Sequence, residues 1–292
     1  MQNEEMYSKY PHRRYNPLTG NYVLVSPHRL QRPWQGKEEN SIITQKPEYD
    51  SECYLCAGNV RANGENNPDY KDTFVFTNDF AAFMKETPQF KSDNPLLKVE
   101  SVAGTNRVIC FSPKHNLTLA EMEISDIKKV VDLWKSQFLE LKKKYAWVQI
   151  FENKGEIMGS SNPHPHGQIW ASSFIPNEVV SEDINQQKYF EENNSVLLVD
   201  YVKLEIEKQE RIVIENEHWV VVVPFWATWP FETLLLPKRH VQTLGDLSEE
   251  ESLALAEILK NFLSKYDNLF KTSFPYTMGW HGAPNDGKDN SH

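Results

Sequence analysis

Between residues 121 and 144 the apolar side chains fall at Ile127, Val130, Val131, Trp134, Phe138 and Leu141. Steps of three and four put them on one face of an α-helix. Ser125 is the expected N-cap, its hydroxyl placed to accept from the unpaired amides of the first turn. Shorter runs rich in β-branched and aromatic residues read as strands at 73–77, 107–112 and 145–151. Phe76 and Phe80 are expected in the core. The opening segment is rich in turn residues and arginine; Asn16-Pro-Leu-Thr-Gly20 reads as a turn, with a short strand at 21–25. The second half repeats the plan, with strands at 217–224 and 232–237 and an amphipathic helix from Ser248 to about Asp267. Ser112-Pro-Lys-His115 and Leu236-Pro-Lys-Arg-His240 each stand between a strand and the helix that follows. Two strand–strand–helix–strand units of this kind predict an α+β fold built by duplication.

Length and charge narrow the function classes. A chain of 292 residues has room for one large domain or two moderate ones. A formal net charge of −10 argues against a nucleic-acid footprint and against an anionic membrane surface. There is no apolar run of about 18 residues. The first residues, Met1-Gln-Asn-Glu-Glu-Met6, are polar and acidic, unlike a secretory or transit leader, so a cytoplasmic location is expected. The 3 cysteines are an odd count and do not suggest a disulfide framework. Cys110, inside an apolar segment, reads as a small buried hydrophobe.

The chemistry concentrates in Gly159-Ser-Ser-Asn-Pro-His-Pro-His-Gly-Gln168. Period-2 geometry puts His164 and His166 on the same side of an extended segment. Pro165 has no N–H, so the place must be an edge, a bulge or a strand end. One histidine here would read as a solvated turn residue. Two at this spacing, among Ser160, Ser161, Asn162 and Gln168, read as a functional site. Cys53-Tyr-Leu-Cys56 is a second candidate: a redox pair, half of a metal site, or a pair of structural thiols. Zinc needs four N, S or O ligands, which His115 and His164 could complete.

The decapeptide resembles the Ser-x-Pro-His-Pro-His-Gly-Gln signature of the galactose-1-phosphate uridylyltransferases, a branch of the histidine-triad superfamily. The likeness extends over nearly the whole chain, through Pro11-His-Arg-Arg-Tyr-Asn-Pro-Leu-Thr-Gly20, Asn59, Phe76-Thr-Asn-Asp-Phe80, Trp229-Pro-Phe-Glu-Thr-Leu-Leu-Leu-Pro237 and Met278-Gly-Trp-His-Gly-Ala-Pro284. It implies an antiparallel half-barrel sheet with flanking helices, made of two histidine-triad-like units at 1–177 and 178–292. The second would be shortened at its C-terminal end, where the family continues with a further His-rich strand.

The resemblance also implies the reaction. His166 would be the nucleophile that takes UMP from UDP-glucose, releasing glucose 1-phosphate, and passes it to galactose 1-phosphate to give UDP-galactose. Attack through Nε2 needs a proton on Nδ1 held by an acceptor, in the family the main-chain carbonyl of the first histidine, here His164. Gln168 offers an amide to a phosphate oxygen and Ser161 a hydroxyl, while Gly159 and Ser160 let the backbone approach closely. Histidine-triad hydrolases carry a third histidine where Gln168 stands; glutamine cannot shuttle a proton, which favours transfer over hydrolysis. Matching positions would hold the nucleotide through Asn78, Asp79, Phe151 and Asn153, with Arg29 and Arg32 reaching its phosphates across the interface of a homodimer. Cys53, Cys56, His115 and His164 match the zinc ligands. Glu182 and His281 match half of a second, iron (Fe2+) site. Two alternatives stand beside this reading: another histidine-triad nucleotidyltransferase, such as a dinucleoside-polyphosphate phosphorylase, or a weakly active fragment that serves as a binding module.

Overall fold

Seven residues, His166–Ser172, form the middle strand of a five-stranded antiparallel sheet. They belong to a computed structural model that describes residues 2–31 and 46–292. In chain order the elements begin with α1 (Gln2–Lys9), β1 (His12–Tyr15), β2 (Tyr22–Val25), β3 (Phe74–Thr77), β4 (Lys91–Ser92), β5 (Val99–Glu100) and β6 (Gly104–Cys110). Next come α2 (Ile124–Leu141), β7 (Trp147–Lys154), β8 (His166–Ser172), α3 (Asn177–Asn193) and α4 (Leu197–Lys208). The last are β9 (Ile212–Glu215), β10 (Trp219–Val222), β11 (Leu234–Pro237), α5 (Glu249–Phe270) and β12 (Tyr276–Trp280). The chain is α+β, with antiparallel sheets and flanking helices. Its described residues form two compact units, one of 2–31, 180–240 and 292, the other of 46–179 and 241–291.

The second of these units carries the sheet β12-β7-β8-β6-β3. Alternation sorts its two faces. Ile169 and Ala171 of β8 and Ile150 of β7 are buried on one face, while His166, Gln168 and Trp170 point to the other. The buried stripe of α2 (Ile127, Val130, Val131, Trp134, Phe138, Leu141) lies against α5, whose Leu255, Ile258, Leu259, Phe262 and Leu263 are also buried. Each such side chain removed from water contributes about 1.5–3 kcal/mol before entropy is charged against it. On the opposite face Leu55, Tyr70, Val108 and Cys110 form a smaller core with Cys53 and Cys56, overlaid by Phe74 and Phe76. Cys110 is fully buried, the small hydrophobe its surroundings suggested.

Glu152 of β7 is buried on the helix side of this sheet, where the Tyr276 hydroxyl donates to it at 2.8 Å. Lys154, two residues on, reaches Asp267 of α5 at 3.5 Å. Burial raises the Glu152 carboxyl from 4.5 to about 7, against the opposing pull of Tyr276 and Lys154.

In the other unit the sheet β11-β10-β9 packs Val220, Val222 and Leu236 against Tyr201 and Val202 of α4, with Trp226 beside them. Glu205, wholly buried, is neutralised by Arg211 at 2.8 Å.

Two local expectations fail for physical reasons. The helix cap is Glu123, not Ser125: a turn in which Glu121 and Met122 both donate to the Thr118 carbonyl delivers the chain to Glu123, whose carbonyl receives the first helical amides. Phe80 is not core but 82% exposed. Asn78 Oδ1 accepts from the Phe80 amide at 2.9 Å, an Asx turn that carries the ring out of the sheet just past β3. The second amphipathic helix does start at its expected cap, with Ser248 and Glu251 forming a reciprocal capping box.

Candidate active site and metal centre

Three separate segments, one before β3, one after β6 and one just before β8, bring four sulfur and nitrogen donors together. Cys53, Cys56, His115 and His164 are all buried, and their ligand atoms lie within 4.8 Å of one another. Cys56 Sγ is 3.5 Å from His164 Nδ1 and 3.6 Å from His115 Nδ1. A tetrahedral N/S site with ordinary bond lengths has edges of roughly 3.4–3.8 Å, so these separations suit a metal ion. The tautomers suit it too. His164 Nε2 lies 2.9 Å from the Ser112 carbonyl and must therefore donate, leaving Nδ1 as a lone pair turned to the cysteines. Tyr70, whose hydroxyl donates to Leu55 O at 2.6 Å, backs the same nitrogen at 3.1 Å. Burial pushes His164 down to about 4 and Cys56 up to about 11, which keeps the imidazole neutral and leaves the thiol in need of a cation to ionise. Among the described residues this is the group of metal-competent side chains that comes together.

A bend at His164 and Pro165 separates this cluster from the strand, which starts at His166. The bend breaks the alternation expected of the two histidines: His164 is 1% exposed within the cluster, and His166 lines a narrow cleft. The two rings nevertheless stay connected, because His166 Nδ1 lies 2.7 Å from the His164 carbonyl. A carbonyl only accepts, so the proton is on Nδ1 and Nε2 keeps its lone pair. Burial lowers the His166 pKa, opposed by that same hydrogen bond, so the ring is neutral at pH 7.

The cleft is lined by Asn153, Gly159, Ser160, Ser161, His166, Gly167 and Gln168. Gly159 has φ +84°, a left-handed turn that glycine adopts without strain. Gly167 lets the strands close up: a Cβ there would come within 2.8 Å of the Phe111 ring and 2.9 Å of the Phe151 carbonyl. The Gln168 amide is oriented by Trp170, whose Nε1 donates to Oε1 at 3.0 Å, leaving the NH₂ free to donate. Phe151 pairs with Gln168 across the strands and packs edge-on against Trp170. Asn153, two residues further along β7, accepts from the Thr277 hydroxyl at 2.8 Å.

Asn78 and Asp79 follow β3 in the same unit. Asp79 is held by Arg61, a residue with no recognisable motif in sequence, whose Nε sits 3.6 Å from the carboxylate and whose guanidinium stacks on Phe76. Asn162, passed over as one of several polar neighbours, is 6% exposed and makes contacts on both sides of the bend. Its Oδ1 accepts from His164 N at 2.9 Å and its Nδ2 lies 3.4 Å from Cys53 Sγ. Arg29 is exposed in the other unit, and Arg32 lies outside the described residues. Glu182 stands on α3 in one unit, and His281 follows β12 in the other.

Comparison with known proteins places this geometry. The profile described as galactose-1-phosphate uridyl transferase, N-terminal domain, matches residues 1–176, and that of the C-terminal domain matches 182–292. A galactose-1-phosphate uridylyltransferase of Haemophilus influenzae is 57% identical over 98% of this chain and 82% of its own length. That of Rattus norvegicus is 51% identical over 95% of this chain and 73% of its own. Among solved structures, one described as a uridylyltransferase superposes with a TM-score of 0.71 at 29% identity, covering 93% of this chain and 80% of that one. An ADP-glucose phosphorylase from Arabidopsis thaliana, at 24% identity and a TM-score of 0.76 over 97% of this chain and 85% of its own, shares the fold. With one domain profile matching residues 1–176, the other 182–292, and relatives above half identity, the chain belongs to the galactose-1-phosphate uridylyltransferase family.

Proposed function

We propose that the chain exchanges UMP between UDP-glucose and galactose 1-phosphate, as one step of galactose use, through a uridylyl group carried on His166 Nε2. The observation that carries this is the 2.7 Å hydrogen bond from His166 Nδ1 to the His164 carbonyl, which fixes the reactive tautomer. In the first step Nε2 bonds to the α-phosphorus of UDP-glucose as the bridging P–O bond breaks, releasing glucose 1-phosphate. In the second an oxygen of galactose 1-phosphate attacks that phosphorus, the N–P bond breaks and UDP-galactose leaves. Both leaving groups are good, so the cleft needs no strong acid, and among the described residues its lining contains no carboxylate.

The other residues position and stabilise. The Gln168 NH₂, held by Trp170, donates to a phosphate oxygen, as does the Ser161 hydroxyl, where Gly159 and Ser160 let the backbone approach; Asn153 serves the same phosphates. Phe151 offers its ring to the uracil, and Asn78 and Asp79 hold the ribose and base. Such prearranged donors suit charge that develops only in the transition state. Cys53, Cys56, His115 and His164 would hold zinc. Bound there, it supplies a cross-link that fixes His164, not a Lewis acid at the phosphate.

Further readings come with the family. Arg29 and Arg32 would contact phosphates across a homodimer. Phe80, Met84, Phe90, Leu96, Leu97 and Val99 are exposed along 80–99, an apolar surface of the kind that association covers. Glu182 and His281 would give two donors to an iron site. The halves 1–177 and 178–292 would be the duplicated units, in a cytoplasmic enzyme; no described helix is long and apolar enough to cross a membrane.

The test is a mass measurement on the chain quenched after incubation with UDP-glucose. A gain of one uridylyl group on the peptide bearing 159–170, absent in His166→Asn and absent with ADP-glucose, is expected. An adduct elsewhere, or turnover by His166→Asn at the parent rate, overturns the assignment. An adenylyl adduct formed in preference from an adenine nucleotide would support the alternative of another histidine-triad nucleotidyltransferase, which the relatives do not favour.

A further inference from the structure

The metal cluster and the nucleophile are joined by more than the main chain. Between Cys53 and His164 lies the Asn162 side chain, 6% exposed. Its orientation follows from what faces it. The His164 main-chain nitrogen can only donate, so the atom 2.9 Å from it is the carbonyl Oδ1. Both ends of the amide lie near Cys53 Sγ, Nδ2 at 3.4 Å and Oδ1 at 3.5 Å; a thiolate sulfur only accepts, so towards it the NH₂ is the donor, beside the Leu55 amide at 3.4 Å. The Asn162 main-chain carbonyl accepts from Ser160 Oγ at 3.0 Å, which anchors the other end of the residue to the cleft wall. No other common side chain of this size offers a donor at one end and an acceptor at the other. Aspartate would put a negative charge against a thiolate. Alanine would leave the buried His164 amide without its acceptor and the Cys53 sulfur with one donor fewer.

The consequence concerns His164. Its main-chain N–H is held by Asn162 Oδ1, its ring sits in the cluster, and its carbonyl holds His166 Nδ1. One residue therefore transmits the position of the cluster to the reactive ring, and Asn162 braces it from the Cys53 side.

We propose that Asn162 is a positioning residue that couples metal binding to uridylylation of His166, its NH₂ stabilising the Cys53 thiolate and its Oδ1 fixing the His164 peptide. This rests on the uridylyl-histidine reading above, and the test keeps the two separable. Two variants split the functions. Asn162→Asp keeps an acceptor for His164 N and loses the donor to sulfur; Asn162→Ala loses both. Co²⁺ is the probe, its affinity measured by competition with a chelator and its thiolate charge-transfer band by absorbance. The rate of the uridylyl-histidine burst with UDP-glucose is read by rapid quench on metal-loaded protein.

Asn162→Asp should bind Co²⁺ roughly 10–100-fold more weakly, with a shifted thiolate band, while its burst rate falls less than about tenfold. Asn162→Ala should lose roughly 10–100-fold in both. Parent Co²⁺ affinity in Asn162→Asp, or a parent burst rate in Asn162→Ala, overturns the proposal. So does a pair of losses in Asn162→Asp that merely track its melting temperature. Should Asn162→Ala fail to fold, the ratio of the two losses in Asn162→Asp decides alone. A parent protein that forms no adduct at all would remove the uridylyl-histidine reading and leave the Co²⁺ comparison to judge the brace.

Discussion

Replacing Glu152 by glutamine tests how far a buried carboxylate governs the sheet under the cleft. Glu152 sits between Tyr276 and the α5 layer, and burial raises its carboxyl from 4.5 to about 7. The folded state thus holds a proton that the unfolded chain gives up, across the window between those two values. With more protons bound in the folded state, stability falls as pH rises through that window. The stabilisation is complete below about 4.5 and gone above about 7. Two and a half pH units at 1.36 kcal/mol each amount to about 3 kcal/mol, taken as an upper figure. For 292 residues the unfolding entropy makes 1 kcal/mol worth about 1.6 °C, so the swing is about 5 °C. Glutamine keeps an oxygen for the Tyr276 hydroxyl and does not titrate. The assay is the melting temperature of parent and Glu152→Gln at half-unit steps from pH 4.5 to 8, the difference plotted against pH. It should move by about 5 °C in favour of the variant as pH rises, half complete at about pH 5.8, the middle of the window, and flat above about 7. A flat difference would show that the carboxylate is charged in the folded state throughout, with Lys154 as its partner, and the burial argument would fail.

Other expectations are simpler to check. Gln168→Ala should lower kcat by roughly 10²–10³ with little change in melting temperature, since it removes a donor and no core volume; an unchanged kcat would mean the amide faces no phosphate. The burst rate should stay flat from pH 8 down to about 6.5 and fall only below it, because burial holds His166 below its ordinary value and the neutral ring is the reactive one; a steady fall across pH 8 to 7 would contradict this. Phe80→Ser should leave stability within about 0.5 kcal/mol, as for other surface changes, measured by denaturant titration. Ser248→Ala should cost about 1 kcal/mol in the same titration, through loss of the α5 cap.

Local pattern carried the regular elements well and the exceptions badly. The α2 stripe was legible because six large apolar residues repeat at helical spacing, and α5 because Ser248 and Glu251 spell a capping box. Helix α3 was not, since Val179 is the one residue of its stretch described as buried, and a face that buries so little leaves no periodic trace. Ser125 misled because the choice of cap was made upstream, by the turn at Thr118. Phe80 misled because hydrophobicity says nothing of where an Asx turn aims a ring. In the site, Cys53, Cys56, His115 and His164 could be named by residue type and resemblance, yet only the fold shows their donor atoms within tetrahedral reach. Arg61 carries no motif, and Asn162 reads only as a polar neighbour of the two histidines, because their work is done by partners distant in sequence, Asp79 for the one and Cys53 for the other.

The pairing of β12 with β7 has an outcome for synthesis on the ribosome. Lys154 meets Tyr276 across more than a hundred intervening residues. At typical elongation speeds of 5–20 residues per second, β7 emerges with one margin unpaired and waits roughly 6–25 s for its neighbour to be made. The nascent chain can already hold its thiols and imidazoles together, since all four ligands precede β8, but the scaffold around them is completed last. Slowed translation, or rare codons between β8 and β12, should lengthen that wait and lower the yield of native enzyme while leaving its specific activity untouched.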